Sequence, residues 1–291
     1  MTVEVFREGR AILVESIWWD ARRDELVWVD ITAGTLHRGR LDGARDGSDD
    51  RVVRLEPPLS CVQPARGGGY VAASADRIVA LDAAGAVRRT ISVIAHPHSG
   101  LRLNEGKVDP FGALVIGSMN TRSGRPDAAL YRVTDEETTL LRGGFGVTNG
   151  LEWIDDGGRM LVTDTAVETV YAGSYDASGA LGELSPLLVG QSSDGLTRAQ
   201  DGTFWNGIYG GGVVGQWSAT GEVLRRIEVP APHVTSVAFG GPDFDALFVG
   251  TARENLEERE LERWPLSGAI FRIDGIGRGF APYEFGRPGG R

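Results

Sequence analysis

The sequence predicts an all-β fold, a six-bladed β-propeller built as a single domain over residues 1–291. Two observations lead to this prediction. First, the chain has 42 glycines among 291 residues, and glycines scattered in this way suit tight turns between short strands better than long helices. Second, a phrase of about 45 residues recurs along the chain, and this period is typical of one four-stranded propeller blade.

The repeat is clearest at three turn glycines. Gly112, Gly157 and Gly202 are spaced by 45 residues. Each is followed by a β-prone run and then by a second strand-like segment, which reads ALYRVTD, TVYAGSYD and VVGQWSATG in the three copies. Related phrases begin near residues 20, 66 and 245. Six copies predict six blades, and the glycine-rich units argue against a solenoid of helix pairs.

The two chain ends and one charged segment complete the predicted architecture. The segments VEVF and APYEF near the two ends are both strand-like, and we expect one of them to complete a blade formed mainly by the other end. Such closure removes an exposed sheet edge. The charged run at residues 253–265, RENLEERELERWP, is predicted to be a helical or extended insertion with a solvated face.

Composition excludes several functional classes. The net charge of −10 argues against a nucleic-acid partner, which would require clustered positive charge. No run approaches the roughly 18–20 apolar residues of a membrane span, and the start of the chain does not resemble a signal peptide. Cys61 is the only cysteine, so a cytoplasmic location is expected, and its apolar surroundings predict a buried structural thiol.

Residues at one fixed position within the repeat, here called its phase, predict a functional site. The residues eight positions before the three turn glycines are Asn104, Asn149 and Asp194. In a propeller, equal phase places residues at equal height around the axis, so these side chains are expected to converge at one mouth of the channel. The same phase falls on Glu15 in the first copy, 89 residues before Asn104, and near Ser60 and Ser236 in two others.

Two carboxylates and neutral amide oxygens form a hard-oxygen set suited to Ca²⁺, Mg²⁺ or Mn²⁺, whereas Zn²⁺ or Fe²⁺ more often recruits His or Cys. The alternative is that these residues only close turns and satisfy strand ends. His96 and His98 have a spacing that could hold a metal, but they lie in a Pro/Gly loop, where a solvated loop is the favoured interpretation. No nucleophile elbow, P-loop or dinucleotide fingerprint is present in the sequence.

Four motifs resemble a known family. They are RLNEGKVDPFGALVIGSM, TNGLEWIDDGGRMLVTDT, SDGLTRAQDGTFWNGIYGGGVV and VTSVAFGGPDFDALFVGTARE, and they are similar in sequence, order and spacing to the SMP-30/gluconolactonase/luciferin-regenerating family. The resemblance covers nearly the whole chain. It implies a six-bladed propeller with one divalent cation in its channel and the hydrolysis of sugar lactones.

Carried over by position, the resemblance implies that Glu15, Asn149 and Asp194 ligate the cation and that Asp194 is also the general base. Arg102 and Asn104 would bind substrate. The implied cofactor is one divalent cation, with Ca²⁺ favoured and Zn²⁺, Mn²⁺, Mg²⁺ or Fe²⁺ left open.

Two departures from the family pattern affect the predicted site. The family's Glu-Gly-Pro phrase is replaced by ESIWW, so Glu15 is kept without its flanking glycine and proline. At the position where some members carry an acidic substrate contact, this chain has Arg122. Arg122 is therefore a candidate substrate-binding residue for a more acidic or differently shaped substrate, or a side chain that points to solvent.

The predicted function is metal-dependent hydrolysis of an aldonolactone, such as gluconolactone, arabinonolactone or xylonolactone, by a monomer or weak homo-oligomer. Two alternatives stay open. One is a metal-dependent hydrolase of other lactones or esters, for which tryptophans would form an aromatic wall: Trp18, Trp19, Trp153 and Trp205. The other is a non-catalytic calcium-binding propeller, because a propeller fold alone does not specify a function.

Overall fold

The structure is a computed structural model that describes residues 2–286. This part of the chain contains 24 β-strands, one α-helix and two single-turn 3₁₀ helices. The first twelve strands are β1 (Val3–Arg7), β2 (Val14–Asp20), β3 (Glu25–Asp30), β4 (Thr35–Arg40), β5 (Arg51–Arg54), β6 (Leu59–Pro64), β7 (Tyr70–Ser74), β8 (Arg77–Leu81), β9 (Val87–Val93), β10 (Leu101–Val108), β11 (Leu114–Asn120) and β12 (Ala128–Val133).

The second twelve strands are β13 (Thr138–Phe145), β14 (Thr148–Ile154), β15 (Arg159–Asp164), β16 (Thr169–Ser174), β17 (Ser185–Val189), β18 (Ser193–Arg198), β19 (Phe204–Ile208), β20 (Val213–Trp217), β21 (Val223–Glu228), β22 (Val234–Gly240), β23 (Ala246–Thr251) and β24 (Ile270–Asp274). The 3₁₀ helices are Asp155–Gly157 and Thr165–Val167, and the α-helix α1 is Glu258–Arg263.

The strands form six four-stranded sheets, which confirms the predicted all-β class and the six-bladed propeller arrangement. Five sheets are consecutive meanders: β2–β5, β6–β9, β10–β13, β14–β17 and β18–β21. The sixth has the order β1-β24-β23-β22. The predicted repeat of about 45 residues is therefore a repeat of complete blades.

The chain divides into two compact units. Unit 1 is Met1–Leu55 with Asp194–Ala281, and unit 2 is Glu56–Ser193 with Pro282–Arg291. The organisation as a single domain stays a prediction.

In unit 1, the N-terminal strand completes a blade formed by strands from near the other end of the chain. β1 pairs antiparallel with β24, from Val3 opposite Ile273 to Arg7 opposite Ile270. The VEVF segment is thus the closing strand. The backbone groups along the outer edge of β24 find their hydrogen-bond partners in β1, as closure of a sheet edge requires.

In unit 2, the APYEF segment does not become a strand of a sheet. Phe285 forms an isolated parallel bridge with Ala65, and its N–H donates to the Pro64 carbonyl at 2.9 Å. The Phe285 ring is buried in the core beside Cys61 and Leu103. This segment packs against the β6–β9 sheet without adding a strand to it.

Each unit has its own apolar cores. In unit 1, Trp205, Val249 and Phe271 belong to one cluster, and Trp19, Trp28 and Phe248 belong to another. In unit 2, Cys61 lies in one cluster, and Leu151, Trp153 and Val162 lie in a second. Full burial of side chains of this size stabilises a fold by about 1.5–3 kcal/mol each. The strands provide them because alternate residues point to the same sheet face.

The TNGLEWIDDGG segment contains two sequences typical of turns, Asn149-Gly150 and the following DDGG, and the structure uses only the second as a turn. Asn149 and Gly150 lie inside β14, so the Asn-Gly pair is not a hairpin turn. The turn between β14 and β15 is the 3₁₀ segment Asp155–Gly157, in which Gly157 has φ of 91°. That left-handed conformation is one that glycine adopts at little cost.

The charged segment at residues 253–265 contains the exposed helix α1, as predicted. Glu257 and Glu260 form a capping box at its N-terminus, which satisfies two backbone N–H groups. Within residues 2–286, no helix is both long and apolar enough to span a membrane.

Candidate active site

Five of the six positions at the predicted phase lie at register shifts in the first strand of their repeat. In unit 2, the β6–β7 register shifts between Leu59 and Cys61, around Ser60. The β10–β11 register shifts between Leu103 and Gly106, around Asn104. The β14–β15 register shifts beside Asn149, where Gly150 is the extra residue. A β-bulge bends its strand and redirects nearby side chains, and such bulges are common beside active sites.

Unit 1 has the same feature. The β2–β3 register shifts between Glu15 and Trp18, and the β22–β23 register shifts between Val234 and Val237, around Ser236. Ser16 within the first of these bulges has φ of 52°. This is the position at which the chain lacks the expected glycine. Ser16 therefore adopts the left-handed conformation that glycine would adopt readily, and the bulge after Glu15 is retained.

In unit 2, three of the predicted residues form one hydrogen-bonded chain. The Arg102 guanidinium donates to Asn104 Oδ1 at 2.7 Å. Asn104 Nδ2 donates to Asn149 Oδ1 at 2.7 Å and to the Thr148 carbonyl at 2.8 Å. Asn149 Nδ2 donates in turn to Thr165 Oγ1 at 2.9 Å. Both amides are buried, at 6% exposure, and these bonds fix their orientation.

Close packing between neighbouring blades holds this chain in place. Thr148 Oγ1 donates to the Ser118 carbonyl at 2.7 Å. A Cβ on Gly117 would lie 1.8 Å from that same hydroxyl oxygen, so only glycine allows this approach. Ser60 Oγ donates to the Leu103 carbonyl at 2.7 Å, next to Asn104. Backbone and hydroxyl groups therefore set the position of the two asparagines before any ligand binds.

In unit 1, the two predicted carboxylates, Glu15 and Asp194, are both buried, at 6% and 4% exposure. Tyr209 lies near both. Burial is the main cause that raises the pKa of Tyr209 to about 12, and the negative charges of Glu254, Asp194 and Glu15 raise it further. The structure thus brings Glu15 and Asp194 into the neighbourhood of one phenol.

The donor set is suitable for a hard divalent cation. Buried carboxylates are expensive to keep charged unless a cation or hydrogen bonds compensate them. Among residues 2–286, no three His, Cys, Asp or Glu side chains are grouped to hold a metal ion. The predicted set contains only two such residues and is completed by an amide oxygen, which is a ligand type that Ca²⁺ accepts.

Arg122 lies on the exposed loop that follows β11. Its Nη2 donates to Ser99 Oγ at 3.0 Å, and its backbone N–H donates to Asn120 Oδ1 at 2.9 Å. The β10–β11 pairing places Leu101 opposite Asn120. Arg122 is therefore at the same end of the sheet as Arg102. Its role in substrate binding stays a prediction.

An ion pair joins two of the first strands of unit 2, three residues beyond Asn104 and Asn149. Lys107 Nζ is 2.8 Å from Glu152 Oε2, which joins β10 to β14. Burial raises the pKa of the neighbouring Glu105 to about 7, and the positive charge of Lys107 opposes this shift. Cys61 is fully buried, which confirms the prediction of a buried thiol, and this burial raises its pKa to about 12.

The other candidate residues make contacts that support the fold. His98 Nε2 is 3.1 Å from Asp127 Oδ2, and His98 Nδ1 accepts from the Gly100 N–H at 3.0 Å. Trp19, Trp153 and Trp205 are buried in the blade cores. These three indoles therefore do not provide the aromatic wall that the alternative hydrolase would need.

Sequence reasoning missed Tyr209, His233 and Asn255. The Tyr209 ring stacks on His233 with centroids 4.2 Å apart, and Asn255 Nδ2 donates to the Tyr209 hydroxyl at 3.0 Å. The positions eight residues before the turn glycines fall only at the start of the first strand in each blade. A second count over the residue that follows each second strand would have found Tyr209, directly after β19.

The match to a family model decides the classification. Residues 13–253 match the model described as the SMP-30/Gluconolactonase/LRE-like region. The chain belongs to the SMP-30/gluconolactonase/LRE-like family. The resemblance inferred from the four motifs is thereby confirmed.

Curated relatives in the SMP-30/gluconolactonase/LRE-like family include two that are named as lactonases. The 6-deoxy-6-sulfogluconolactonase of Pseudomonas putida is 33% identical over 267 residues, which cover 90% of each chain. Pentonolactonase XacC of Haloferax volcanii is 32% identical over 287 residues, which cover 94% of each chain.

One solved structure has the same fold over nearly its full length. Regucalcin from Agrobacterium tumefaciens, described as a calcium-binding protein, has a TM-score of 0.89 and 25% sequence identity. The match covers 98% of this chain and 97% of that one. The similarity extends along nearly the full length of both chains.

Proposed function

We propose that this protein is a divalent-metal-dependent lactonase that opens a sugar lactone to the aldonic acid. The observation that carries the proposal is the placement of Glu15, Asn104 and Asn149 beside backbone bulges at one phase of the repeat. Asp194 occupies the same phase and is buried as they are. The names of the two lactonase relatives support the reaction class.

In this proposal Glu15, Asn149 and Asp194 hold the cation. The description of the Agrobacterium relative as calcium-binding supports a divalent ion and favours Ca²⁺. A bound divalent cation would polarise the lactone carbonyl and stabilise negative charge on its oxygen. Asn104 keeps the amide of Asn149 in position through its 2.7 Å bond to Asn149 Oδ1.

Asp194 is the proposed general base. A water molecule attacks the carbonyl carbon, and the Asp194 carboxylate accepts the proton that this water loses. The bond between the carbonyl carbon and the ring oxygen then breaks. The ring oxygen takes up the proton that Asp194 had accepted, which restores the carboxylate, and the product is an open-chain hydroxy acid.

Arg102 and Asn104 are the proposed substrate contacts. Arg102 Nη1 is held by Asn104 Oδ1 and by the Leu103 carbonyl at 2.9 Å. A guanidinium carries five N–H donors in a planar fork, so a group held in this way can bind a substrate oxygen with a defined orientation. A purely calcium-binding protein would not need a guanidinium held in this way, so this arrangement favours an enzyme.

The test is a metal add-back assay. Protein stripped with a chelator is assayed against gluconolactone, arabinonolactone and xylonolactone, with Ca²⁺, Mn²⁺, Zn²⁺, Mg²⁺ and Fe²⁺ added back separately. We expect no turnover without metal and restored turnover with at least one ion. Ion binding without turnover of any lactone would favour the calcium-binding alternative. Turnover of aryl esters alone would favour the other hydrolase.

The finer proposal concerns substrate charge. Within residues 2–286, Arg122 makes no ion pair with a carboxylate, and its guanidinium is bonded to a serine hydroxyl. We propose that it attracts a lactone with an anionic substituent, as the sulfonated substrate in the name of the Pseudomonas putida relative would have.

This proposal is tested by comparing lactones that carry a carboxylate or sulfonate with neutral ones. Arg122→Gln should lower kcat/KM for the charged lactone by about tenfold, which corresponds to about 1.4 kcal/mol, and leave the neutral lactone unchanged. Arg125→Gln on the same exposed loop is the matched control. Equal effects on both lactones would contradict a role for Arg122 in charge selection.

A further inference from the structure

Tyr209 lies at the same end of its sheet as Asp194. β18 and β19 are neighbours in the β18–β21 meander, so the start of β18 lies beside the end of β19. Asp194 is the second residue of β18, and Tyr209 directly follows β19. β19 also packs against β22, which His233 directly precedes. All of these residues belong to unit 1.

The Tyr209 ring is held in a fixed plane. It stacks on the His233 imidazole at a centroid distance of 4.2 Å and an interplanar angle of 14°. His233 Nδ1 is 2.9 Å from the Glu254 carbonyl oxygen. Because a carbonyl only accepts hydrogen bonds, Nδ1 carries the proton, and this bond fixes the imidazole.

The Tyr209 hydroxyl is oriented as an acceptor, while its proton is weakly engaged. Asn255 Nδ2 donates to the phenol oxygen at 3.0 Å. Among residues 2–286, the acceptor that this hydroxyl reaches is the Glu254 carbonyl, at 3.5 Å, where a hydrogen bond is weak. Its raised pKa of about 12, caused first by burial, keeps it protonated at neutral pH. The group can therefore donate a short hydrogen bond to a ligand.

We propose that Tyr209 is a specificity residue of this site and donates a hydrogen bond to a hydroxyl group of the sugar lactone. Asn255 holds the phenol oxygen and His233 holds the ring, so the donor is oriented before substrate binds. The inference rests on the proposed lactonase function. It explains how the protein would select a polyhydroxylated lactone over one without hydroxyl groups.

The first test uses Tyr209→Phe, which removes the hydroxyl and keeps the ring that stacks on His233. Loss of one neutral hydrogen bond should lower kcat/KM for D-glucono-δ-lactone by about five- to tenfold, mainly through KM. The value for δ-valerolactone, which has no ring hydroxyl, should not change. Tyr131→Phe is the matched control, because that half-buried tyrosine lies in unit 2.

A second variant and a binding measurement complete the test. Asn255 has φ of 62°, so Asn255→Gly removes the amide without straining the backbone. We expect this variant also to have a lower kcat/KM for D-glucono-δ-lactone relative to δ-valerolactone. In calorimetry, Tyr209→Phe should weaken D-glucitol binding by a similar factor and leave cation affinity unchanged.

The outcomes separate the two proposals. If the wild-type protein hydrolyses no lactone, the proposed function fails. If the wild type is active and Tyr209→Phe has unchanged kcat/KM for both lactones, the specificity role of Tyr209 is wrong. A loss of equal size for both lactones, or a loss of cation affinity, would also overturn it.

Discussion

Asn104 Nδ2 donates to Asn149 Oδ1 at 2.7 Å, and the two residues occupy the same phase of neighbouring repeats. The oxygen that accepts this bond is also the proposed cation ligand. An amide oxygen has two acceptor sites, so it can accept one N–H and still face a cation. Asn104, a proposed substrate contact, therefore also orients a proposed cation ligand.

Asn104→Ala should lower kcat/KM for a sugar lactone by about 10- to 100-fold, because it removes the partner of both Arg102 and Asn149. Cation affinity should fall as well, since Asn149 loses the bond that orients it. Steady-state kinetics and calorimetric titration of Ca²⁺ measure the two effects. Unchanged values in both measurements would contradict the dual role.

Asp194→Asn should retain the fold and lose most lactonase turnover, by about 10²- to 10⁴-fold if Asp194 is the general base. The variant should also lose most of the thermal stabilisation by Ca²⁺, which for a ligand at 100 times its Kd is worth about 2.7 kcal/mol. Asp243→Asn, at an exposed position in unit 1, is the control. Wild-type turnover in Asp194→Asn would rule out its assignment as base.

Ser16→Val should destabilise the protein by about 2 kcal/mol, whereas Ser16→Gly should be tolerated. Ser16 has φ of 52°, and β-branched residues rarely adopt this conformation. Because Ser16 follows Glu15 in the bulge, the valine variant should also bind Ca²⁺ more weakly. Urea denaturation and calcium titration of both variants provide the measurement. Equal stability of the two variants would show that the strain is absent.

Asp109→Asn should lower the free energy of unfolding by about 3 kcal/mol, the loss typical of removing one partner of a buried ion pair. The Asp109 carboxylate is fully buried and accepts from Arg132 Nε at 2.9 Å and from the Tyr175 hydroxyl at 2.8 Å. Burial, followed by the Asp109 charge, raises the pKa of Tyr175 above its ordinary value. Asp201→Asn, in an exposed turn, is the control for denaturation. A loss no larger than that of the control would mean that the network contributes little.

Glu105 should make stability depend on pH between about 4.5 and 7. Its pKa rises from 4.5 to about 7 on folding, chiefly because of burial. In this window the folded state binds more protons than the unfolded state, so the free energy of unfolding falls as pH rises. The stabilisation that comes from the raised pKa of Glu105 is fully present below pH 4.5 and is lost as pH rises through 7.

Glu105→Gln should therefore make the free energy of unfolding depend less on pH. Relative to the wild type, the free energy of unfolding of the variant should increase above pH 7. Urea denaturation at pH 4.5, 6 and 8 measures this. Glu137→Gln, at an exposed position of the same unit, should follow the wild-type profile. A Glu105→Gln profile parallel to that of the wild type would disprove the assignment.

The blades and the candidate positions could be predicted from the sequence because both depend on local, repeated chemistry. The turn glycines fix where hairpins end, and Gly157 has the positive φ that this role requires. The phase count then located Asn104 and Asn149, which the structure joins by a hydrogen bond.

What the sequence could not provide depends on contacts between distant segments. Either terminal segment was equally suited to close a blade, and only the pairing of Val3 with Ile273 decides between them. The interaction of Tyr209 with Asn255 joins residues 46 apart. Ser16 adopts a backbone conformation that its residue type disfavours, so propensity alone would not predict it.

The pairing of β1 with β24 also has a consequence for biosynthesis. The ribosome makes β1 before β24, and more than 260 residues separate the two strands in the chain. At typical elongation rates of about 5–20 residues per second, the first strand waits on the order of tens of seconds. The sixth blade can therefore close only after the strands of the other five blades have been synthesised, and β1 is exposed to wrong partners during that interval.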